Sequence, residues 1–344
     1  MSHSLNSARS ALPFPILIGD IGGTNARFSI VVDAYAEPKV FAPIKTADYV
    51  SLDAAIQAHV LDKTSLLPRA AVLAVAGPTD GEEIDLTNNN WIVKPAKMIE
   101  QFGFEDIIVL NDYEAQALAV VALGDEHLRK IGVGTKEHYG NCVVIGPGTG
   151  LGVAGLIHAA NTWTPVAGEG GHVDIGPRTQ RDEEVFAHLE KIGGRVSGEQ
   201  ILCGRGIVNL YRAIAAATGI EPKFDAPEDI TSAAIAGNDD IAKETFQLFC
   251  EYLGRIAGDL ALIFMARGGV YLTGGITQKI LPIFDEVRFR AGFENKQPHR
   301  DLITNMPTFA ILHEQAPMAG LTAYARTPMR FGVSLEGRHW REQK

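Results

Sequence analysis

The fold is decided by residues 16–32: Ile16-Leu17-Ile18-Gly19-Asp20-Ile21-Gly22-Gly23-Thr24-Asn25-Ala26-Arg27-Phe28-Ser29-Ile30-Val31-Val32. An apolar, β-branched run from Ile16 to Gly19 leads into a polar glycine turn. Phe28, Ile30 and Val32 then alternate on one face, so the segment reads as strand, glycine turn, returning strand. The same unit recurs at Asn141 to Ile157, where a strand to Ile145 meets the turn Gly146-Pro147-Gly148-Thr149-Gly150-Leu151-Gly152 and returns from Val153. One supersecondary unit thus heads each half of the chain, a weak internal symmetry.

Working outward, Ala70–Ala76 and Ile107–Leu110 are continuous apolar runs and read as buried strands, as does Val270–Thr273 before Gly274-Gly275. Helical spacing marks Ser51–Leu61, Lys97–Phe102, Tyr113 to about Gly124, Glu183–Ile192, Gly206–Ala217, Ile241–Ala266, Thr277–Phe284 and Met318–Ala325. Strands alternating with helices define an α/β architecture. The 344 residues are enough for two domains at about 150 residues each. We expect a smaller α/β domain from 14–122 plus 312–331, a larger one from 123–311, and loosely ordered tails at 1–13 and 332–344.

Apolar residues at 46% and charged residues at 21% are ordinary globular composition. A net charge of −10 argues against a nucleic-acid binder, which needs a basic face. It says nothing against one anionic ligand held locally. Three cysteines without metal-ligand spacing suit a reducing compartment. No run approaches the ~18 apolar residues of a membrane span, so a soluble cytoplasmic protein is the expectation. Glycine is the unusual term, with 36 residues against an average usage of about 7%.

Glycine turns can aim backbone N–H groups at a phosphate, because no Cβ blocks the approach. Thr24 and Thr149 add hydroxyl donors to the two turns. Asp20 could hold a metal-bound water beside polyphosphate, or merely cap its turn. Gly150 to Gly155 also fits G-x-G-x-x-G, with Asp174 about 20 residues on. A dinucleotide site needs that turn to open a helix, whereas Val153 to Ile157 reads as a strand. The Walker pattern is absent.

Asn111-Asp112 sits where a buried strand ends and a helix starts, the usual place for a site in an open α/β sheet. Asp112 could take a proton from a hydroxyl nucleophile or could N-cap the helix; position alone leaves both readings open. Glu169-Gly170-Gly171-His172 presents an acid and an imidazole from one tight loop, a pair suited to adjacent sugar hydroxyls. Glu199, after Val196-Ser197-Gly198, stands at a helix start, where an acid also favours the helix dipole.

Together these residues resemble the bacterial glucokinase family, the group without the zinc motif, within the actin-like, hexokinase-type sugar kinases. The likeness runs in order through Asp20-Ile21-Gly22-Gly23-Thr24-Asn25, Thr87-Asn88 with Trp91, Asn111-Asp112, Gly146 to Gly152, Glu169 to Asp174, Ser197 with Glu199, Val208 to Ile214 and Leu272 to Ile276, over about residues 14–327. It implies a two-domain actin-like ATPase fold with ATP and sugar in the interdomain cleft. It implies ATP-dependent phosphorylation of D-glucose at the 6-hydroxyl, with Asp112 as the base. Asn90, Asn111, Asp112, Glu169, His172 and Glu199 would bind glucose. Gly19, Asp20, Ile21, Gly22, Gly23, Thr24 and Asn25 would meet ATP, with Gly148 and Thr149 on the phosphates and Gly274 and Gly275 against the adenosine. Asp20 would orient Mg²⁺ through water. Val173-Asp174-Ile175-Gly176-Pro177 after His172 holds no cysteine, so no zinc is expected. The resemblance also implies a possible homodimer. The alternatives are a kinase for fructose, mannose or an N-acetylhexosamine, and a non-kinase actin-like ATPase.

Overall fold

A computed structural model describes residues 11–87 and 89–342. The first part of the chain runs β1 (Ile16–Ile21), β2 (Asn25–Val31), β3 (Lys39–Val40), β4 (Ile44–Lys45), α1 (Leu52–Ala55), β5 (Ala70–Val75), β6 (Ile84–Asp85), β7 (Ile92–Val93), α2 (Pro95–Phe102), β8 (Asp106–Asn111) and α3 (Asp112–Ala119). It continues through β9 (Leu128–Ile131), β10 (Cys142–Pro147), β11 (Leu151–Ala159), β12 (Thr162–Gly168), α4 (Gln180–Phe186), α5 (Gly204–Thr218), α6 (Pro227–Ala236) and α7 (Asp240–Phe264). The last part is β13 (Gly269–Leu272), α8 (Gly274–Ile280), α9 (Glu286–Glu294), α10 (Arg300–Thr304), β14 (Thr308–Ile311), α11 (Ala316–Arg326) and β15 (His339–Arg341).

The chain divides into two compact units. One comprises residues up to Gly124 with His158–Ala167 and the chain from His313; the other comprises Asp125–Ile157 and Gly168–Leu312. In the first unit the sheet order is β15-β8-β5-β1-β2-β3, with β4 also on β2. β1 pairs antiparallel with β2 and parallel with β5, which pairs parallel with β8. The second unit repeats that logic in the order β11-β10-β13-β14-β9. Here β10 pairs antiparallel with β11 and parallel with β13, and β13 pairs parallel with β14. Each sheet is therefore an antiparallel hairpin continued by two parallel strands, and the glycine turn is the tip of the hairpin in both. The apolar runs read from sequence become strands without solvent access: every residue of β1, β5 and β10 is buried. This follows from helices covering parallel strands on both faces.

Several expected elements end differently: the helix read from Tyr113 to about Gly124 is α3, which stops at Ala119, and that read over Thr277–Phe284 is α8, which runs from Gly274 to Ile280. The helix read over Ser51–Leu61 is α1 followed by a π-helical turn at Ile56–Val60. That read over Glu183–Ile192 stops at Phe186. The polar stretch after Gly332 reads as a loose tail, yet His339–Arg341 forms β15, antiparallel to β8. Its reason is ionic. His339 Nε2 lies 2.6 Å from Asp106 Oδ1, and Arg341 Nε donates to the same oxygen at 2.9 Å.

In the first unit α11 packs on α3, the helix that begins at Asp112. The two backbones touch at Gly320, where a Cβ would collide with the carbonyl of Ala115 and lie 2.8 Å from the amide of Ala119. Gly320→Ala is expected to destabilise the protein by about 1–3 kcal/mol through overpacking. A lowered urea midpoint checks it; an unchanged midpoint would show that the helices can separate freely.

Candidate active site

The first glycine turn is held by its carbonyls. Gly22 donates its N–H to Asn25 O at 3.0 Å, closing the turn. Thr46 donates from its hydroxyl to Gly23 O and from its amide to Thr24 O, both at 2.9 Å. Asn89 Nδ2 faces Gly22 O at 3.4 Å. Among the described residues no protein acceptor takes the N–H of Gly23 or Thr24, so these donors face outward from a braced loop. Thr24 and Asn25 are exposed, while Gly19, Asp20 and Ile21 are buried in β1. Arg27, opposite Asp20 across the β1–β2 ladder, donates to Asp20 Oδ2 at 3.1 Å. Burial pushes the Asp20 carboxyl above its ordinary pKa, and the Arg27 guanidinium opposes that rise.

At the end of β8 the structure separates two jobs that the sequence leaves merged. Asn111 is the N-cap of α3: its Oδ1 accepts from Tyr113 N–H at 2.9 Å. Glu114 completes a capping box by accepting the Asn111 N–H at 3.0 Å. Asp112 is the first helical residue, half-buried, and Tyr113 N–H also lies 3.0 Å from its Oδ1. Asn111 and Glu114 form the capping box, and Asp112 shares the Tyr113 N–H with Asn111. Asn111 Nδ2 faces Gly77 O at 3.5 Å, so its Oδ1 is committed to the helix and its amide nitrogen is the group left for a ligand. Asn90 is exposed beside Asn89, and Asn88 lies outside the described residues.

The second unit assembles the other predicted residues. His172 Nε2 lies 3.7 Å from Glu169 Oε2 and 3.8 Å from Glu199 Oε2. The three side chains come from two loops tied by backbone: Glu199 N–H donates to Gly171 O at 2.8 Å, and Gly198 N–H to Val173 O at 3.0 Å. Gly171 presses on the glycine turn so closely that a Cβ would fall on the carbonyl of Leu151. Glu199 Oε2 accepts the Leu151 N–H at 3.0 Å, and Arg205 approaches Oε1 at 3.5 Å. Arg195 donates to His172 O and to the Asp174 carboxylate, bracing the loop from beneath. The cluster is graded in exposure, with side chains 90% exposed at Glu169, 51% at His172 and 19% at Glu199.

The turn beside this cluster is held like the first. Gly148 N–H donates to Gly150 O at 2.8 Å, and Gly148 O accepts Gly204 N–H from the start of α5 at 2.9 Å. Thr149 is exposed at the tip. Gly274 reaches the same turn: at φ +86° its missing Cβ admits the carbonyl of Pro147. Thr273 N–H donates to Ile145 O at 2.9 Å, and Gly275 is exposed. The residues after the turn form β11, a strand, which removes the dinucleotide reading of Gly150–Gly155.

Asn89, Arg27, Glu114, Arg195 and Arg205 touch these residues without having been picked from sequence. Asn89 stands between Asn88 and Asn90 and could have been found; the others carry no local motif. Among the described residues no group of three or more His, Cys, Asp or Glu side chains could hold a metal ion, and no helix is long and apolar enough to cross a membrane.

Two hairpins with braced glycine turns, each heading parallel strands, define an actin-like fold of the hexokinase-type sugar kinases. The Glucokinase family profile matches residues 17–328, and the glucokinases of Chelativorans sp. (strain BNC1) and Rhizobium johnstonii are 64% and 60% identical over 96% and 98% of this chain, covering 96% and 98% of their own. The chain belongs to the glucokinase family. A crystal structure of glucokinase from an Antarctic psychrotroph superposes with a TM-score of 0.82 at 32% identity, over 92% of this chain and 100% of that one.

Gly171→Ala is expected to drive the His172 loop off the Leu151 carbonyl and raise the sugar KM by about tenfold or more. Steady-state kinetics check it, and an unchanged sugar KM would detach this contact from the site.

Proposed function

We propose that this chain transfers the γ-phosphoryl group of ATP to the 6-hydroxyl of D-glucose, giving glucose 6-phosphate and ADP. The observation that carries the chemistry is Asp112 at the first position of α3, with the cap supplied by Asn111 and Glu114. A half-buried carboxylate at this helix start can accept the O6 proton as O6 bonds to phosphorus and the bond to the ADP oxygen breaks. Phosphoryl transfer asks mainly for positioning and charge stabilisation, which suits so small a catalytic set. Full-length relatives named glucokinase at 64% and 60% identity support glucose as the acceptor.

Glu169, His172 and Glu199 would hold the remaining sugar hydroxyls, with Asn111 donating from Nδ2 and Asn90 approaching from its loop. Gly23 and Thr24 on one turn, and Thr149 on the other, would offer N–H and hydroxyl donors to the phosphates, with Gly148, whose N–H is taken by Gly150 O, shaping the second turn without donating. Gly274 and Gly275 would lie against the adenosine. Asp20 fits a water-mediated Mg²⁺ role: Arg27 engages its Oδ2, which leaves Oδ1 for a metal-bound water. When bound, Mg²⁺ would neutralise charge on the phosphate oxygens. The same proposal places the enzyme in the cytoplasm, where three buried, unpaired thiols are at home, at the entry of glucose into glycolysis and as a homodimer.

Asp112→Asn should keep the fold and glucose binding and lose about 10²–10⁴ in kcat. Near-normal turnover in that variant sinks the role of Asp112. Glu169→Gln should raise the glucose KM several-fold with little change in the ATP KM, because its exposed carboxylate pairs with His172 and not with the glycine turn. Equal changes in both would contradict a sugar-binding role.

A further inference from the structure

The C-terminal segment delivers one buried cation to the helix start that carries Asp112. Arg338 precedes β15, and its carbonyl accepts Val109 N–H at 3.1 Å, which seats it two residues before Asn111 along β8. Its side chain, 13% exposed, donates from NH1 to Glu114 Oε2 at 2.6 Å and faces Thr79 Oγ1 at 3.4 Å. NH2 donates to Ser334 O. Glu114 is itself 5% exposed, and the oxygen that Arg338 holds is the one that accepts Asn111 N–H. Asp106, paired with His339 and Arg341, pins the strand that follows.

We propose that Arg338 is a positioning residue for Asp112, acting through the Glu114 carboxylate. The inference rests on Asp112 being the base. A carboxylate buried this deeply keeps its place only with a partner charge. Without Arg338, the Glu114 carboxylate loses the ion pair that holds its Oε2 and turns away, and the Asn111 N–H loses its acceptor. The first turn of α3 then loosens at Asp112. Thr79, reached by the same guanidinium, ties the loop that begins at Gly77, the residue whose carbonyl faces Asn111 Nδ2. One side chain therefore braces both segments flanking Asn111-Asp112. A misplacement of about 1 Å at a reacting group is worth up to about 10² in rate.

Arg338→Ala in the full chain is expected to lower kcat by about 10–100-fold while glucose and ATP-analogue Kd values, read by calorimetry, stay within about threefold. Arg338→Lys, which keeps a charge for Glu114, should recover most of that loss. In a Glu114→Gln background, where no buried charge is orphaned and an acceptor for Asn111 remains, adding Arg338→Ala should change kcat by less than about threefold. Wild-type kcat in folded Arg338→Ala overturns the proposal. So does a loss that falls equally on kcat and on both affinities without rescue by Lys, which marks a purely structural role. If Arg338→Ala alone does not fold, the Glu114→Gln pair decides: a further kcat loss above tenfold on adding Arg338→Ala overturns coupling through Glu114. An active Asp112→Asn would overturn the base assignment by itself, whereas wild-type Arg338→Ala beside an inactive Asp112→Asn overturns the positioning alone.

Discussion

A backbone turn can offer its N–H groups to an anion only if its carbonyls are held elsewhere. Peptide N–H and C=O point in opposed directions, and a carbonyl aimed at a phosphate would repel it. Both hairpins meet this constraint with donors from outside the turn. Thr46 supplies two in the first unit, a hydroxyl to Gly23 O and an amide to Thr24 O. The start of α5 supplies one in the second, from Gly204 to Gly148 O. Much of the surrounding fold can be read as delivering these donors. β4 exists on the edge of β2 to bring Thr46 under the turn, and the loop from Gly198 to Cys203 sets α5 against Gly148.

The same economy governs the side chains. Asn111, Asp112 and Glu114 are polar residues around one helix start, each with its own place in it. Two of them satisfy orphan N–H groups, which any helix beginning at the end of a buried strand must do. Asp112 shares the Tyr113 N–H with Asn111 and, on the proposed reading, brings its carboxylate to the chemistry. Glu199 is the converse case. Its Oε2 already accepts Leu151 N–H, so it braces the second turn while sitting within 3.8 Å of His172. A ligand hydroxyl bound there would share a carboxylate with the turn.

What the sequence disclosed follows from how local each signal is. Ile16–Gly19, Ala70–Ala76 and Ile107–Leu110 announce themselves because strands covered on both faces need unbroken apolar runs. The glycine turns and the Glu169–His172 loop are contiguous, so their chemistry can be read in order. The choice between cap and base at Asp112 could not be, because it turns on which of two adjacent side chains bends back on the helix. Trp340 and its polar neighbours show no strand periodicity; β15 forms because Asp106 waits on β8 with His339 and Arg341 as partners in register. Arg338 and Glu114 are 224 residues apart, and no spacing rule reaches that far.

The acidity of the chain gains a definite meaning from this geometry. Its net charge of −10 would repel a polyphosphate if the field of the whole surface decided binding. At physiological ionic strength exposed charges are screened beyond about 8 Å, so only groups lining a site are felt at full strength. The turns line theirs with peptide dipoles, which add no net charge and need no lysine. The acidic residues near them are mostly neutralised already: Asp20 by Arg27, Glu114 by Arg338 and Glu199 in part by Arg205. On the proposed reading an acidic surface and a phosphate site are compatible, because the site's own acids are either paired or would face sugar hydroxyls, where a negative acceptor is what binding requires.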